Sequence, residues 1–203
     1  MMRSQMGGIL SILRLSNGKL LDGNKEITFR KDGWVMLAVD TSGSMAHTLE
    51  EAKKHAVTFY QTALDRSYRT GVVGFADYAR LYHGLDCEGH KLEANLREMV
   101  AGGGTAMAEG LGLAATHLDC MNGERAIVLI TDGQPSEPDK TLRVAEKIKA
   151  KGTRIICIGV TGADLAFLQQ IASAPDLADL VAAPLLGETI ERSVGLLSWH
   201  GKK

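Results

Sequence analysis

Side chains with oxygen atoms gather at three places in the sequence, and each place follows an apolar or glycine-rich run. The first is Asp40-Thr41-Ser42-Gly43-Ser44, the second is Thr105 after Gly102–Gly104, and the third is Thr131-Asp132-Gly133. None of the three contains a thiol or an imidazole. Carboxylates and hydroxyls are hard oxygen donors that suit Mg²⁺ or Mn²⁺ in near-octahedral geometry, whereas Ca²⁺ prefers more oxygens. These residue types indicate a divalent-cation site, provided that the fold brings the three places together.

The apolar runs of the chain predict a parallel sheet. Each run is short, rich in Val and Ile, and apolar at consecutive positions, which is typical of strands buried on both faces. Segments with apolar residues at three- and four-residue spacing lie between the runs and predict amphipathic helices, the longest from Met45 to Ala63. The four predicted strands are Val35–Val39, Gly71–Phe75, Ala126–Ile130 and Ile155–Val160.

The alternation of strands and helices predicts an α/β fold with a doubly wound, mostly parallel central sheet and helices on both faces. Arg80–Tyr82 predicts a short antiparallel strand, Leu177–Val181 a last edge strand, and Glu188–Trp199 a closing helix. Ligands of such sheets bind at the carboxyl ends of the strands, near the point where strand order reverses. The first and third oxygen-rich places follow strands, and Thr105 precedes a predicted helix, so we expect all three on one rim.

These residues resemble the metal-ion-dependent adhesion site of the von Willebrand factor A (VWA) family. Residues 40–44 match the Asp-x-Ser-x-Ser motif of the family, Thr105 its isolated threonine, and Asp132 its second aspartate, and the resemblance covers about residues 33–198. It implies a Rossmann-like VWA fold that binds Mg²⁺ or Mn²⁺. The metal ligands that it implies, some direct and some through water, are Asp40, Ser42, Ser44, Thr105 and Asp132.

The resemblance also implies a function. One coordination position would be open to a Glu or Asp carboxylate of a partner protein, so the chain is expected to be a cation-dependent protein-interaction module and not an enzyme. Family members that stand alone in the cytoplasm often work beside ATPases, kinases or phosphatases, which are therefore the implied kinds of partner. In the family a last helix shifts when the metal site changes state, which implies the same motion for the closing helix of this chain.

Three alternatives stay open at this point. Asp40, Ser42 or Ser44 could simply cap the following helix, since Asp and Ser are preferred N-cap residues. Strand-end aspartates with Mg²⁺ also occur in phosphohydrolases of the haloacid dehalogenase kind, but those enzymes need an acid two residues after the nucleophile, where this chain has Ser42. The third alternative is a structural domain whose metal only stabilises the rim. The motifs of P-loop enzymes and of Gly-x-Ser-x-Gly hydrolases are absent.

Composition and charge narrow the organisation and the partners. The 203 residues are 45% hydrophobic and 23% charged, which fits one α/β domain over residues 31–203. Residues 1–30 form an extension in which Leu10–Leu15 and Lys19–Leu21 predict a hairpin packed on the domain. A net charge of −1 without a basic patch argues against nucleic acid as a partner, and no apolar run is long enough for a membrane span.

The cysteines and histidines predict no second site. Cys87, Cys120 and Cys157 are odd in number and widely spaced, which indicates a reducing compartment and hence the cytoplasm. The segment His83–His90 has two His, one Cys and two acidic residues but no recognised zinc spacing, so it is expected to be an exposed loop. His47 is expected at the rim of the cation site, three residues after Ser44.

Overall fold

The computed structural model describes residues 13–16, 19–22, 25–26, 33–85 and 87–197. The chain divides into two compact units, Met1–Lys31 and Asp32–Lys203. In the first unit, three short strands pair antiparallel, with Leu13 opposite Asp22 and Ser16 opposite Lys19: β1 (Leu13–Ser16), β2 (Lys19–Asp22) and β3 (Lys25–Glu26). Residues 10–12 of the predicted hairpin lie outside the described residues, and its packing on the domain stays a prediction.

The second unit is built on a six-stranded sheet in the order β6-β5-β4-β7-β8-β9. All neighbouring strands are parallel except β5 and β6, which pair antiparallel. The predicted parallel core and both predicted edge strands are therefore confirmed. The strands are β4 (Gly33–Asp40), β5 (Tyr68–Phe75), β6 (Ala79–His83), β7 (Glu124–Thr131), β8 (Arg154–Val160) and β9 (Ala178–Val181).

Helices cover both faces of this sheet. Successive strand residues point to opposite faces. A methyl group on Gly110 would meet the Phe75 ring, whereas a methyl group on Gly74, which precedes Phe75 in the strand, would meet Tyr82 and Met99. The helix that contains Gly110 and the segment that contains Met99 therefore lie on opposite faces. On one face α1 contacts α2 and α6, and on the other face α4 contacts α3 and α5. Their bounds are α1 (Leu49–Asp65), α2 (Leu92–Arg97), α3 (Met107–Asp119), α4 (Pro138–Ala150), α5 (Leu165–Ile171) and α6 (Leu186–Ser193).

Burial on both faces explains the composition of the central strands. Val35–Val39 of β4 and Ala126–Ile130 of β7 are almost entirely buried, and each of these side chains packs against a helix or a neighbouring strand residue. A strand of this kind cannot alternate apolar and polar residues, because neither face meets water. The apolar runs end at Asp40 and Thr131, where the two strands reach the same edge of the sheet.

The first and last predicted helices differ from the prediction in their bounds. The predicted helix from Met45 begins as a 3₁₀ turn over Gly43–His47, because Met45 N–H donates to Ser42 C=O and Thr48 N–H to Met45 C=O, so α1 starts only at Leu49. The closing helix ends at Ser193 and continues as a 3₁₀ turn to Leu196; Trp199 of the predicted helix lies outside the described residues.

Candidate metal centre

The candidate site lies where neighbouring strands lead to opposite faces of the sheet. β4 and β7 are adjacent and parallel; β4 is followed by α1 on one face, and β7 by α4 on the other. The divergence of the two connections leaves a crevice at the carboxyl ends of these strands, which is where doubly wound folds bind ligands. Asp40 is the last residue of β4, and Asp132 directly follows β7.

Asp40 forms the floor of this crevice. Its side chain is buried, Oδ1 accepts a hydrogen bond from Ser42 N–H at 2.8 Å, and Oδ2 accepts one from the Thr131 hydroxyl at 2.5 Å. Burial raises the pKa of Asp40 above its ordinary value; the hydrogen bonds from Thr131 and Ser42 oppose this shift, and the charge of Asp132 adds to it. The carboxylate is fixed in position, and its negative charge is only partly compensated.

Ser42, Ser44 and Asp132 form a chain of contacts above Asp40. The Ser44 hydroxyl donates to Asp132 Oδ1 at 2.7 Å, and the Ser42 and Ser44 Oγ atoms lie 3.0 Å apart. A hydroxyl has one hydrogen, so Ser42 is the donor to Ser44. Ser42 is buried and Ser44 is exposed, so this series of hydrogen bonds runs from the interior to the surface.

Thr105 reaches the same point from the glycine-rich loop. This loop is held against residues 41–43 by two backbone hydrogen bonds, from Gly102 N–H to Thr41 C=O at 2.8 Å and from Gly43 N–H to Gly103 C=O at 3.1 Å. A methyl group on Gly133 would lie 3.7 Å from Thr105 Oγ1 and 4.0 Å from Ser44 Oγ. The hydroxyls of Thr105 and Ser44 therefore border one small space beside Gly133, and all five predicted residues come together.

Sequence reasoning missed two residues that position Thr105. Asp77 Oδ1 accepts a hydrogen bond from Gly104 N–H at 2.7 Å, and Ser136 exchanges bonds with the Thr105 backbone: its Oγ accepts from Thr105 N–H at 3.2 Å and its N–H donates to Thr105 C=O at 3.0 Å. Asp77 follows the carboxyl end of β5, so the strand-end rule that selected Asp40 could have selected it as well.

Gly103 allows the close contact with Asp77. Its φ of +77° is in the left-handed region, and a methyl group there would lie 2.5 Å from Asp77 Oδ2. A side chain at this position would push Asp77 away from the loop that carries Thr105.

The donor set fits a hard divalent cation. Two carboxylates carry the charge that such a cation requires, and Ser42, Ser44 and Thr105 supply neutral oxygens with available lone pairs. Among the described residues, no group of three or more His, Cys, Asp or Glu side chains is placed to hold a metal. A site of two carboxylates and three hydroxyls contains only two such residues, so it agrees with that observation.

Comparison with known proteins identifies the family. Residues 35–184 match the family model of the von Willebrand factor type A domain. This chain belongs to the von Willebrand factor type A family. The predicted family and fold are thereby confirmed, whereas metal binding by the five residues stays a prediction.

This VWA domain spans less than a third of the length of two of its relatives. It is 26% identical to the human collagen alpha-6(VI) chain over 70% of this chain and 7% of the relative, and 30% identical to mouse matrilin-1 over 70% of this chain and 31% of the relative. Proximal thread matrix protein 1 of the mussel byssus, with a zinc-occupied MIDAS motif, superposes with a TM-score of 0.66 at 20% identity, covering 81% of this chain and 46% of that chain. At this identity the likeness concerns the fold alone.

One expectation for the VWA domain was wrong in part. His83 does not lie in an exposed loop: it ends β6 and is buried, with Nδ1 3.1 Å from the Asn95 amide nitrogen and its ring against Tyr60. Pairing of β6 with β5 places this side chain under α2, and the sequence contains no periodic signal for such a short strand end. Leu85 is buried as well, whereas Cys87, Glu88 and His90 are exposed, as expected.

The other residues of interest lie apart from the site or beside it. Cys157 is a buried free thiol in β8, and burial raises its pKa, whereas Cys87 and Cys120 are exposed free thiols. His47 is exposed at the end of the 3₁₀ turn that begins beside Ser42. In the part of the chain that the structure describes, no helix has the length and apolar character needed to cross a membrane.

Proposed function

We propose that this VWA domain binds Mg²⁺ or Mn²⁺ through Asp40, Ser42, Ser44, Thr105 and Asp132, and thereby binds a Glu or Asp carboxylate of a partner protein. The observation that carries the proposal is the convergence of hydroxyls and carboxylates from three loops at an exposed sheet edge. The chain of contacts from Ser42 through Ser44 to Asp132 and the shared space beside Gly133 account for four of the five residues.

The residues of the site have different roles in binding the cation. Asp40 supplies buried negative charge and fixes the Ser42 backbone through its Oδ1. Ser42, Ser44 and Thr105 supply neutral oxygens, so the negative charge of the ligand set comes from the two aspartates alone. When bound, the cation would supply an under-neutralised positive charge with a coordination position for an anionic oxygen from outside the domain.

Known proteins support this proposal at the level of the family. The mussel matrix protein has the same fold, and zinc occupies its metal-ion-dependent adhesion site (MIDAS) motif. The collagen chain and matrilin-1 are relatives in sequence. On this basis we extend cation binding and protein partners to this chain. A setting beside an ATPase, a kinase or a phosphatase in the cytoplasm is a separate proposal, which rests on the odd number and wide spacing of the cysteines and on the resemblance to family members that stand alone.

We propose binding and not catalysis for a reason of geometry. Both oxygens of Asp40 are engaged by donors, and the side chain is buried, so it is poorly placed to attack a phosphorus atom. The position two residues later, where a phosphohydrolase of this kind has its acid, is Ser42. Turnover of p-nitrophenyl phosphate with Mg²⁺ that is lost in Asp40→Asn would contradict this part of the proposal.

A peptide selection tests the proposal without knowledge of the partner. A phage-displayed random peptide library is bound to the immobilised protein in Mn²⁺ and eluted with a chelator. The expected result is enrichment of peptides with a Glu or Asp whose replacement by Gln or Asn abolishes binding. Recovery without acidic enrichment, or equal recovery on Asp132→Ala, would contradict the proposal. Asp65→Asn is the matched control, since Asp65 is an exposed aspartate at the far end of α1.

A further inference from the structure

Two large apolar side chains are exposed beside the proposed metal site. Tyr78 is 73% exposed and Val100 is 75% exposed, the highest values among the large apolar residues that the structure describes. Single exposed apolar residues are common on protein surfaces, so exposure alone would mean little. The exposure of Tyr78 and Val100 becomes informative because both residues lie near the proposed metal site.

Contacts of neighbouring residues bring the segments of Tyr78 and Val100 next to each other. Arg80 Nη2 donates to Glu98 Oε2 at 2.5 Å, and the Arg80 guanidinium lies 5.0 Å from the Tyr82 ring centre. Tyr78 lies two residues before Arg80, in the turn that joins β5 to β6 at the carboxyl end of β5. Val100 lies two residues beyond Glu98, in the segment that leads to the same edge.

Tyr82 and Met99 lie on the same side of the sheet as part of the motif at residues 40–44. A methyl group on Gly74 would lie 2.7 Å from Tyr82 Cε2, and 3.2 Å from both Met99 Cε and Thr41 Cγ2. Tyr82, Met99 and Thr41 therefore surround one point of the sheet, and Thr41 lies between Asp40 and Ser42 in the chain.

Two hydrogen bonds tie the segments of Tyr78 and Val100 to the metal site. Asp77, adjacent to Tyr78, accepts from Gly104 N–H at 2.7 Å, and Gly102, two residues after Val100, donates to Thr41 C=O at 2.8 Å. Chain geometry limits the Cα atom of Val100 to about 7 Å from that of Gly102. Tyr78 and Val100 are thus held beside the glycine loop that carries Thr105, and both side chains are open to solvent.

We infer that Tyr78 and Val100 form an apolar contact surface for the residue that neighbours the metal-bound carboxylate. The partner segment then has a Glu or Asp beside a large aliphatic or aromatic residue. The inference rests on the proposed function, because the bound carboxylate is what brings the partner over this surface.

The loop between the metal site and this apolar surface can accommodate such a segment. Gly102 to Gly104 have no side chains, and a methyl group on Gly102 would meet nothing within 4 Å, so a partner backbone can approach closely. The nearby charges are already paired: Asp77 with Gly104 N–H, and Arg80 with Glu98. Because no unpaired cationic side chain is provided by these residues, burial of an apolar group, and not a second acid, is the remaining source of affinity.

The test uses three variants and the peptides recovered by chelator elution. Tyr78→Ser, Val100→Ser and the double variant remove the surface, and Leu64→Ser is the matched control because Leu64 is 49% exposed near the end of α1, at the opposite edge of the sheet. All three side chains are exposed or half-exposed, so we expect each of the four variants to fold and to keep the wild-type rise in melting temperature with Mn²⁺.

The expected result has two parts. Recovered peptides carry a large apolar residue within two positions of the acid, and their affinity, measured by fluorescence polarisation in Mn²⁺, falls about tenfold for the double variant and is unchanged for Leu64→Ser. Acidic enrichment without an apolar neighbour, or unchanged affinity of the double variant, overturns this inference and leaves the proposed function intact. Loss of acidic enrichment altogether overturns both.

Discussion

At the scale of single residues, Asp40 is a carboxylate placed where ionisation is costly without a cation. Water does not reach it, and Asp132 carries a like charge nearby. The hydrogen bonds from Ser42 N–H and the Thr131 hydroxyl orient both oxygens and offset part of the cost. A buried charge of this kind is retained in a fold at the expense of stability, which is expected where the charge serves a ligand.

Asp40→Asn separates the effect of this charge on the stability of the fold from its effect on cation binding. Asn keeps the shape and can still accept from Ser42 N–H, but it carries no charge. We expect the chelated variant to melt at the wild-type temperature or a few degrees above it, with a rise of about 2–4 °C for each kcal/mol by which loss of the charge stabilises the fold. The rise in melting temperature that Mn²⁺ gives the wild-type protein by mass action should disappear. Differential scanning fluorimetry in chelator and in millimolar Mn²⁺ measures both effects.

A matched variant controls for the loss of one negative charge anywhere on the domain. Asp65→Asn removes an exposed aspartate at the end of α1 and should keep the full response to Mn²⁺. A full response that persists in Asp40→Asn would show that the cation binds elsewhere.

The raised pKa of Asp40 predicts a pH dependence with a definite sign. A folded-state pKa above the unfolded value means that Asp40 stabilises the fold below its unfolded pKa and that this contribution is lost as pH rises through its folded pKa. In chelator, the melting temperature of the wild type should therefore fall relative to that of Asp40→Asn as pH rises from about 4 to about 7.

Mn²⁺ should reverse this order, because the bound cation requires the ionised carboxylate. Melting curves of both proteins across the pH series, with and without Mn²⁺, measure the two differences. A difference that does not change with pH would mean that Asp40 has the same pKa in the folded and unfolded chain.

At the scale of elements, α6 is attached to α1 through a histidine. His55 of α1 lies with Nε2 2.8 Å from Glu51 Oε1 and Nδ1 2.9 Å from Glu191 Oε1 of α6. Its ring packs over Gly187, where a methyl group would lie 2.1 Å from Nε2. Ile190, Val194 and Leu197 are buried, as the helical spacing predicts. The docking of α6 therefore depends on a small residue at 187, and movement of this helix stays a prediction.

Gly187→Ala should destabilise the domain although alanine favours helices. Alanine gains about 1 kcal/mol over glycine in a helix interior, whereas an added methyl group in a packed contact costs about 1–3 kcal/mol. The His55 ring must move and lose at least one carboxylate contact, so we expect a net loss of unfolding free energy. Urea unfolding followed by circular dichroism measures it.

Two further variants isolate the cause. Gly112→Ala in α3 meets nothing within 4 Å and should stabilise by about 0.5–1 kcal/mol. In a His55→Ala background the clash is absent, so Gly187→Ala should become neutral or stabilising. Equal effects of Gly187→Ala in both backgrounds would rule out the contact with His55 as the cause.

At the scale of the whole molecule, the sheet could be predicted because its strands are buried on both faces. Runs such as Val35–Val39 are apolar at every position, and their ends at Asp40 and Thr131 mark the edge of the sheet. The five candidate residues follow from those ends and from the family resemblance. Parallel pairing of β4 with β7 then brings Asp40 and Asp132 together although 92 residues separate them in the chain.

The remaining features depend on contacts that spacing does not encode. α5 has seven residues, too few for a periodic pattern to be distinguished, and its start is fixed by Asp164, which accepts from Phe167 N–H. The burial of His83 results from α2 packing over β6. The contact of Asp77 with Gly104 depends on the left-handed backbone of Gly103, which a glycine permits but does not dictate.

The most direct test of the central claim is the anomalous scattering of manganese in crystals grown with millimolar Mn²⁺. We predict one peak at the carboxyl edge of β4 and β7, about 2.0–2.2 Å from the Ser42 and Ser44 hydroxyl oxygens and bordered by Thr105 and Asp132. The same crystals of Asp132→Ala should have a weaker peak or none. A peak on other residues, with none between Ser42 and Ser44, would contradict the assignment of this edge as a divalent-cation site.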